Sequence, residues 1–273
     1  MKRLNKLFIL YFCFLIIVLT SCSSHYQITS ITRSRILIDN RYDPNTYTKA
    51  DIFLSPYKHK VDSLMNPIVG YSDHYMKAER PESDLSNLLA DIMLWAASSY
   101  NEKVDFAIYN MGGIRATLPK GAVTYGDVLD IAPFENKICF LTLSGEKVYE
   151  LFQQIAHVGG EGVSKGVCLL LNKHNVLLHA CINGKKIDPK AQYRIATINY
   201  LAQGNDKLEA FKSKTNFISP TADSNNTRVI IVNYFKQMTA KGKIINSTTE
   251  GRITYISDLP GKIGCENTIG IHN

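Results

Sequence analysis

A short polar segment that follows an apolar run carries the residue types best suited to ligand chemistry. Residues 106–109 read Phe-Ala-Ile-Tyr, which predicts a buried strand, and residues 110–115 continue as Asn-Met-Gly-Gly-Ile-Arg. Gly112 and Gly113 allow the backbone to approach a ligand closely, and the guanidinium of Arg115 offers a planar fork of donors for phosphate or carboxylate. These residues alone are equally consistent with a ligand site and with a tight turn that leaves Arg115 on the surface.

Helical patterns lie on both sides of this segment. The clearest helix has apolar residues at positions 85, 88, 89, 92, 93 and 96, which follow the period of an α-helix, and Ser83 or Asp84 can cap its start. Ser144 can cap a second helix, which has Val148 and Leu151 on its inner face. Further helices are predicted at 125–131 and at 226–241, and residues 47–66 predict a helix or a broken helix, with an interruption expected near Pro56.

Apolar runs between these helices predict the strands. They lie at 68–71, 105–109, 137–143, 167–171, 175–182, 194–198 and 252–256. The glycine-rich residues 159–166 are predicted to form a flexible segment. Because strands and helices alternate without a strict βαβ rhythm, we expect an α/β (α+β) fold with mixed β-sheet layers packed by helices.

The start of the chain has the pattern of an export signal. Lys2, Arg3 and Lys6 precede an apolar stretch over residues 7–20, and residues 19–22 read Leu-Thr-Ser-Cys, the small-residue pattern before a lipid-modified cysteine. The alternative is a membrane-spanning anchor, but the apolar stretch is shorter than the roughly 20 residues that a spanning helix needs. The pattern therefore favours a lipoprotein signal.

The signal predicts both the segments of the chain and its location. We expect a signal peptide at 1–21, a lipid on Cys22, a tether at 22–44, one domain at 45–256 and a tail at 257–273. The lipid would anchor the protein to a membrane of the cell envelope, in the periplasm or at the outer membrane.

The charge of the chain is modest. The 273 residues carry a formal net charge of +7, and three of the positive charges lie in the predicted signal. The other basic residues are scattered, with no run longer than Lys185-Lys186. Such a surface suits a small anionic ligand, and the charge does not by itself indicate a partner that is a nucleic-acid polymer.

The cysteines leave the disulfide pairing open. Four of the six lie beyond the signal and the lipid site, and they allow three pairings: Cys139, Cys168, Cys181 and Cys265. The first three lie in apolar strand-like runs, where a buried thiol is common. No Cys-x-x-Cys pair is present, so a zinc site is not expected.

Three sequence blocks, in this order, resemble the signature blocks of the 5′-nucleotidase C-terminal domain family. They are ESDLSNLLAD at 82–91, YNMGGIR with TYGDVLDIAPF at 109–134, and ATINYLAQGNDKLEAF at 196–211. The sequence EGRI at 250–253 is similar to the usual end of that domain. The resemblance covers nearly all of residues 45–256 and implies the fold of that domain, which the family pairs with an N-terminal metallophosphatase domain.

The resemblance implies a nucleotide-binding role for matching residues. Asn110 corresponds to an amide that contacts the nucleoside and Arg115 to an arginine that meets the phosphate. Phe134 and Tyr200 correspond to two aromatic walls around the base, and Asp206 to a carboxylate that binds ribose hydroxyls. Taken singly, the two aromatic residues could be core residues and Asp206 a helix cap.

The chain departs from the family pattern at four positions. Met111 replaces a third glycine beside Gly112 and Gly113, and tyrosine replaces the usual phenylalanine at Tyr200. Asn205 and Lys207 replace glycines on either side of the ribose-binding carboxylate. Arg80 lies near the position of another ligand-contacting arginine of the family.

The catalytic motifs of the family's metallophosphatase domain are absent from this sequence. None of its seven histidines lies in a His-x-His, Asn-His-Glu or Asp-x-His context, and hydrolysis by two metals needs ligands that hold both ions close together. We therefore expect no cofactor or metal in this chain. The expected partners are a nucleotide or nucleoside and a separate metallophosphatase chain.

Three functions are consistent with the sequence. The first is the substrate-binding half of a 5′-nucleotidase, which would hydrolyse phosphoric monoesters only with its partner. The second is a nucleoside-binding lipoprotein without catalysis, and the third is a surface protein that has kept the fold and lost the pocket.

Overall fold

The computed structural model describes residues 26–39 and 48–258. The predicted signal peptide, Cys22 and most of the predicted tail lie outside the described residues. The described residues fall into two units, one that ends at Phe53 and one that begins at Leu54. Residues 26–39 of the first unit contain no helix or strand. No helix within 26–39 or 48–258 is both long enough and apolar enough to cross a membrane.

Six α-helices are present in the described part of the chain. They are α1 (Thr48–Met65), α2 (Asp84–Ala96), α3 (Tyr125–Ile131), α4 (Gly145–His157), α5 (Asn199–Ala202) and α6 (Thr227–Ala240). Helix α1 continues through Pro56, so the predicted interruption was wrong. Proline lacks an N–H and removes one helical hydrogen bond, and here the helix continues without it.

The strands form three sheets. In chain order they are β1 (Ile68–Ser72), β2 (Phe106–Tyr109), β3 (Gly121–Thr124), β4 (Ile138–Ser144), β5 (Gly162–Val163), β6 (Val167–Leu171), β7 (Leu177–Ile182), β8 (Lys185–Lys186), β9 (Gln192–Ile198), β10 (Thr215–Ile218) and β11 (Ile253–Tyr255). The main sheet has the order β10-β4-β9-β2-β5, a second has β11-β6-β7-β8, and β1 pairs with β3. Both larger sheets contain parallel and antiparallel pairs, which confirms the mixed α/β fold class.

Two predicted helix caps are confirmed by hydrogen bonds. Ser83 accepts a bond from the N–H of Ser86, whose side chain in turn binds the backbone of Ser83. The hydroxyl of Ser144 accepts from the N–H of Lys147 at the start of α4. Each cap satisfies a helix N–H that has no partner within the helix. Behind the caps, the predicted apolar faces of both helices are buried in the core.

The glycine-rich residues 159–166 are built into the fold, so the prediction of a flexible segment was wrong. They contain β5, which pairs with β2 at the edge of the main sheet. Gly160 has a φ of 113°, and a Cβ there would lie 2.2 Å from the carbonyl oxygen of Pro81. The glycines therefore serve close packing against the start of α2 rather than flexibility.

The topology brings three loops to one edge of the main sheet. Strands β2 and β9 are parallel neighbours, so the loops that follow them, at 110–115 and 199–206, leave the sheet at the same edge. Strand β4 runs antiparallel to β9 and pairs Ile138 with Ile198, so β4 begins at that edge. The segment before β4 therefore meets the other two loops.

Candidate functional site

The three loops enclose a cleft of about 190 Å³. Its lining residues are Asn110, Gly112, Gly113, Phe134, Asn136, Tyr200 and Asp206. Six residues predicted from separate parts of the sequence are thus brought together. Asn136 is an additional lining residue that the sequence analysis missed, although it lies two positions after Phe134 and directly before a predicted strand.

The two aromatic side chains of the cleft are open to solvent. Phe134 is 47% exposed and Tyr200 is 38% exposed. The alternative that they are core aromatics is therefore wrong. Burying a large aromatic ring away from water is favourable. Two such exposed rings in one cleft therefore indicate a surface that a flat, apolar group can cover.

Asp206 connects two of the loops. Its Oδ1 accepts a hydrogen bond of 2.9 Å from the hydroxyl of Tyr200, and its Oδ2 accepts one of 3.0 Å from Nδ2 of Asn110. The hydrogen bond to Asp206 raises the pKa of the Tyr200 hydroxyl. The hydroxyl by which Tyr200 differs from phenylalanine therefore helps to orient the carboxylate.

The side-chain amide of Asn110 uses its nitrogen in a hydrogen bond, whereas its oxygen has no partner in the part of the chain that the structure describes. Among the described residues, its Oδ1 is buried and accepts no hydrogen bond. A Cβ at Gly113 would lie 2.4 Å from this oxygen, so a glycine is needed for the amide to lie where it does. A buried acceptor without a partner is costly and suits a ligand that brings a donor.

The Asn110–Gly113 turn accommodates the methionine that replaces a glycine. Met111–Gly113 forms a single 3₁₀ turn, and the side chain of Met111 is buried. The backbone of Met111 is not left-handed, so no glycine is required at this position. The departure from the family pattern therefore leaves the turn intact.

A buried carboxylate lies behind this turn. Both oxygens of Glu161 are used: one accepts from the backbone N–H of Met111, and the other accepts from Nη2 of Arg80 at 2.7 Å. Burial raises the pKa of Glu161, the N–H of Met111 and the positive charge of Arg80 act in the opposite direction, and the carboxylate of Asp206 adds to the rise. The sequence analysis missed this residue because a single glutamate in a glycine-rich run carries no pattern.

The two predicted arginines do not line the cleft. Arg115 is exposed, and its Nη1 lies 3.4 Å from the carbonyl oxygen of Gly112 at the cleft wall. Arg80 is held by Glu161 behind the Asn110–Gly113 turn. Arg115 is therefore placed to meet an anionic group at the mouth of the cleft, whereas Arg80 supports the wall.

The backbone of the loop that carries Asp206 is strained at two residues, Asp206 itself and Lys207, which replaces a glycine of the family. Asp206 has a φ of 55° and Lys207 a φ of 65°, both left-handed. A left-handed residue with a side chain costs roughly 1–2 kcal/mol, although aspartate tolerates this conformation better than lysine does.

Replacing Lys207 with glycine should relieve this strain. We expect the free energy of unfolding to rise by roughly 0.5–1 kcal/mol, because the penalty of the left-handed conformation exceeds the extra chain entropy of glycine. Urea unfolding measures the change. Lys207→Ala is the matched control, since alanine keeps the Cβ and should leave the stability nearly unchanged. A glycine variant less stable than the alanine variant would contradict the strain.

The described residues do not form a metal centre. Within 26–39 and 48–258, no group of three or more histidine, cysteine, aspartate or glutamate residues could hold a metal ion. The polar side chains of the cleft are one carboxylate and two amides, and they suit hydrogen bonding to a neutral polar ligand.

The sequence profile described as 5′-nucleotidase, C-terminal domain matches residues 68–213. The chain belongs to this family. The matched span is more than half of the 273 residues and contains every residue that lines the cleft.

Longer proteins share this domain. The trifunctional nucleotide phosphoesterase protein YfkN of Bacillus subtilis is 29% identical over 247 residues, which cover 82% of this chain and 16% of YfkN. Protein UshA of Escherichia coli is 24% identical over 169 residues, which cover 61% of this chain and 31% of UshA. The chain thus spans a third or less of the length of these relatives.

Solved structures share the fold. The crystal structure of the 5′-nucleotidase precursor from Thermus thermophilus superposes with a TM-score of 0.65 at 24% identity. The match covers 78% of this chain and 44% of that chain. A putative 5′-nucleotidase from Staphylococcus aureus gives a TM-score of 0.57 at 16% identity. Likeness at this identity supports the fold alone.

Proposed function

We propose that this chain is the nucleotide- or nucleoside-binding half of a 5′-nucleotidase. The observation that carries the proposal is the cleft in which two exposed aromatic rings lie beside a carboxylate held by an amide and a hydroxyl. An aromatic surface suits a base, and stacking is worth roughly 1–3 kcal/mol per base. A carboxylate suits the ribose diol, because each of its oxygens can accept more than one hydrogen bond.

The remaining polar groups can be assigned to parts of the same ligand. Asn136 offers an amide donor and acceptor to the edge of a base, and the buried Oδ1 of Asn110 offers a further acceptor. Arg115 lies at the cleft wall, where its guanidinium would bind a phosphate in bidentate geometry.

The proposed activity needs a second protein. This chain would hold no catalytic metal, and a separately encoded metallophosphatase domain would supply the metal-dependent hydrolysis of the phosphoric monoester. The absence of the metallophosphatase motifs from these 273 residues supports this division of labour. We further propose that the lipid on Cys22 anchors the chain to a membrane of the cell envelope.

Two measurements test the proposal. The full chain should bind adenosine and AMP by calorimetry, and phosphate release from AMP with a divalent metal should require both this chain and a metallophosphatase partner. Hydrolysis by the isolated chain would contradict the assignment of roles. Binding without hydrolysis in the presence of partner candidates would favour the second function, a nucleoside-binding lipoprotein. A folded chain that binds neither ligand would exclude both.

Replacing Gly113 with alanine should weaken binding. The new Cβ would lie 2.4 Å from Oδ1 of Asn110, so the amide must move and its bond to Asp206 must lengthen. We expect the Kd for adenosine to rise about tenfold, the equivalent of one hydrogen bond. Calorimetry checks the result.

Gly112→Ala is the matched control for this variant. Its Cβ would have Oδ2 of Asp206 at 3.7 Å as the nearest atom, which is an ordinary contact. We expect at most a roughly threefold change in Kd, well below the cost of a lost hydrogen bond, even though the residue lines the cleft. A larger loss for Gly112→Ala than for Gly113→Ala would show that the position of the Asn110 amide does not determine affinity.

A further inference from the structure

Two cysteines lie directly opposite each other in the second sheet, away from the cleft. Strands β6 and β7 are antiparallel, and their register pairs Cys168 with Cys181. The structure holds both as thiols. Because side chains of directly opposed residues project from the same face of a sheet, the two sulfur atoms share one face.

The backbone hydrogen bonds of β6 show whether Cys168 and Cys181 form a hydrogen-bonded or a non-hydrogen-bonded pair. The N–H of Leu169 donates to the carbonyl of Arg252, so it faces β11 rather than β7, and the Leu169–Ala180 pair is not hydrogen-bonded. Since the two pair types alternate, Cys168 and Cys181 form a hydrogen-bonded pair. The Cα atoms of such a pair are about 5.5 Å apart, within the roughly 4.4–6.8 Å that a disulfide spans.

The two thiols differ in access to solvent. Cys181 is buried, whereas Cys168 is half-buried. A dissolved disulfide would therefore reach Cys168 first. Cys181 lies directly opposite Cys168 on the neighbouring strand, so it can complete a thiol–disulfide exchange without leaving that strand.

Two polar side chains lie beside the pair. Lys186 of β8 lies opposite Cys181 in the register. His179, two positions before Cys181, lies on the same face, and its Nε2 is buried without a hydrogen-bond partner among the described residues. Burial and the charge of Lys186 lower the pKa of His179, so the ring is neutral and can accept a proton.

Cys139 provides an internal contrast. It lies within β4 and is fully buried in the core. Burial raises the pKa of its thiol to about 12, so it is protonated at neutral pH, and a protonated thiol is unreactive.

We propose that Cys168 and Cys181 form a redox-sensitive pair that closes to a cross-strand disulfide. The oxidant is a disulfide, RS–SR, either a small molecule or a thiol–disulfide oxidoreductase. The Cys168 thiolate attacks one sulfur and releases RS⁻, which leaves a mixed disulfide. The Cys181 thiolate then attacks the Cys168 sulfur and releases the second RS⁻. Two electrons and two protons pass to the oxidant, which becomes two RSH.

Peptide mapping of the full chain tests the proposal directly. Trypsin cuts after Lys165, Lys173 and Lys185, so Cys168 and Cys181 fall in separate peptides, 166–173 and 174–185. After incubation with oxidised glutathione and alkylation of the remaining thiols, mass spectrometry should find these peptides joined. Dithiothreitol should separate them. A link from Cys168 to Cys265, or glutathione adducts without a 168–181 link, would overturn the proposal.

Melting temperatures give a second readout. Closing the pair constrains the unfolded chain, so oxidation should raise the Tm by roughly 5 °C. Cys168→Ser and Cys181→Ser should each abolish this rise, and Cys181→Ser should leave one glutathione on the accessible Cys168. Cys139→Ser is the control and should keep both the link and the rise. If Cys139→Ser lost the link while its fold stayed intact by circular dichroism, the link would depend on Cys139 and the proposed pair would be wrong.

Discussion

The double variant Phe134→Ala/Tyr200→Ala should show no measurable nucleoside binding. Each ring is expected to contribute roughly 1–3 kcal/mol of stacking, so each single variant should bind about 10- to 100-fold more weakly and the two losses should add. The residues are exposed, so their removal should leave the free energy of unfolding almost unchanged. Calorimetry with adenosine and urea unfolding measure the two quantities.

The surface offers controls of the same residue type and similar exposure. Phe217 is 45% exposed and Tyr149 is 41% exposed, and neither lines the cleft. Phe217→Ala and Tyr149→Ala should bind adenosine like the unchanged chain. Tyr200→Phe retains the ring and loses the hydroxyl that binds Asp206, so it should lose less affinity than Tyr200→Ala. Full affinity in the folded double variant would eliminate the aromatic cleft as the binding site.

Glu161→Ala should reduce both stability and binding, although the residue does not line the cleft. It leaves the buried N–H of Met111 unpaired, which costs roughly 1–3 kcal/mol, and it removes the ion pair with Arg80. Because Arg80 is partly exposed, water can solvate its charge, so we expect a total loss of about 3 kcal/mol. Fluorescence of Trp95, the single tryptophan, reports urea unfolding.

Conservative and remote substitutions separate the contributions at Glu161. Glu161→Gln keeps an acceptor oxygen for the Met111 N–H and should lose about 1 kcal/mol or less. Glu150→Ala removes an exposed carboxylate paired with Lys147, and it should change stability by less than about 0.5 kcal/mol. Equal losses for Glu161→Ala and Glu150→Ala would show that the buried carboxylate does not support the turn.

The raised pKa of Glu161 predicts a pH dependence. A carboxyl group whose pKa is raised in the fold favours the folded state most when it is protonated. Its contribution is therefore largest below the ordinary value of 4.5 and declines as the pH rises through the raised pKa. Glutamine does not titrate, so the stability of the unchanged chain relative to Glu161→Gln should fall from acid to neutral pH.

The sequence predicted the parts of the fold that carry a periodic signal. The helices capped by Ser83 and Ser144 have long apolar faces, and both caps and faces are as expected. Strands β3, β5, β8 and β10 were missed because strands of two to four residues carry too little alternation to stand out.

The site was predictable where the sequence matches the family blocks. The residues of these blocks that line the cleft were named from that match, since Phe134 and Tyr200 taken singly could have been core residues. Glu161 was missed because its partner Arg80 lies 81 positions earlier in the chain. Arg115 and Arg80 look alike as sequence, and only the fold distinguishes the arginine at the cleft wall from the one behind it.

The bond between Asn110 and Asp206 spans 96 positions of the sequence. Bringing together groups of such separation costs loop-closure entropy, which is recovered only when the surrounding contacts of the fold form. The cleft therefore cannot exist on any short fragment, nor on a chain in which β9 has yet to dock beside β2. A ligand of the cleft would consequently recognise only fully folded molecules. It would stabilise them by mass action, so that the amount of properly assembled protein would follow the local supply of its own ligand.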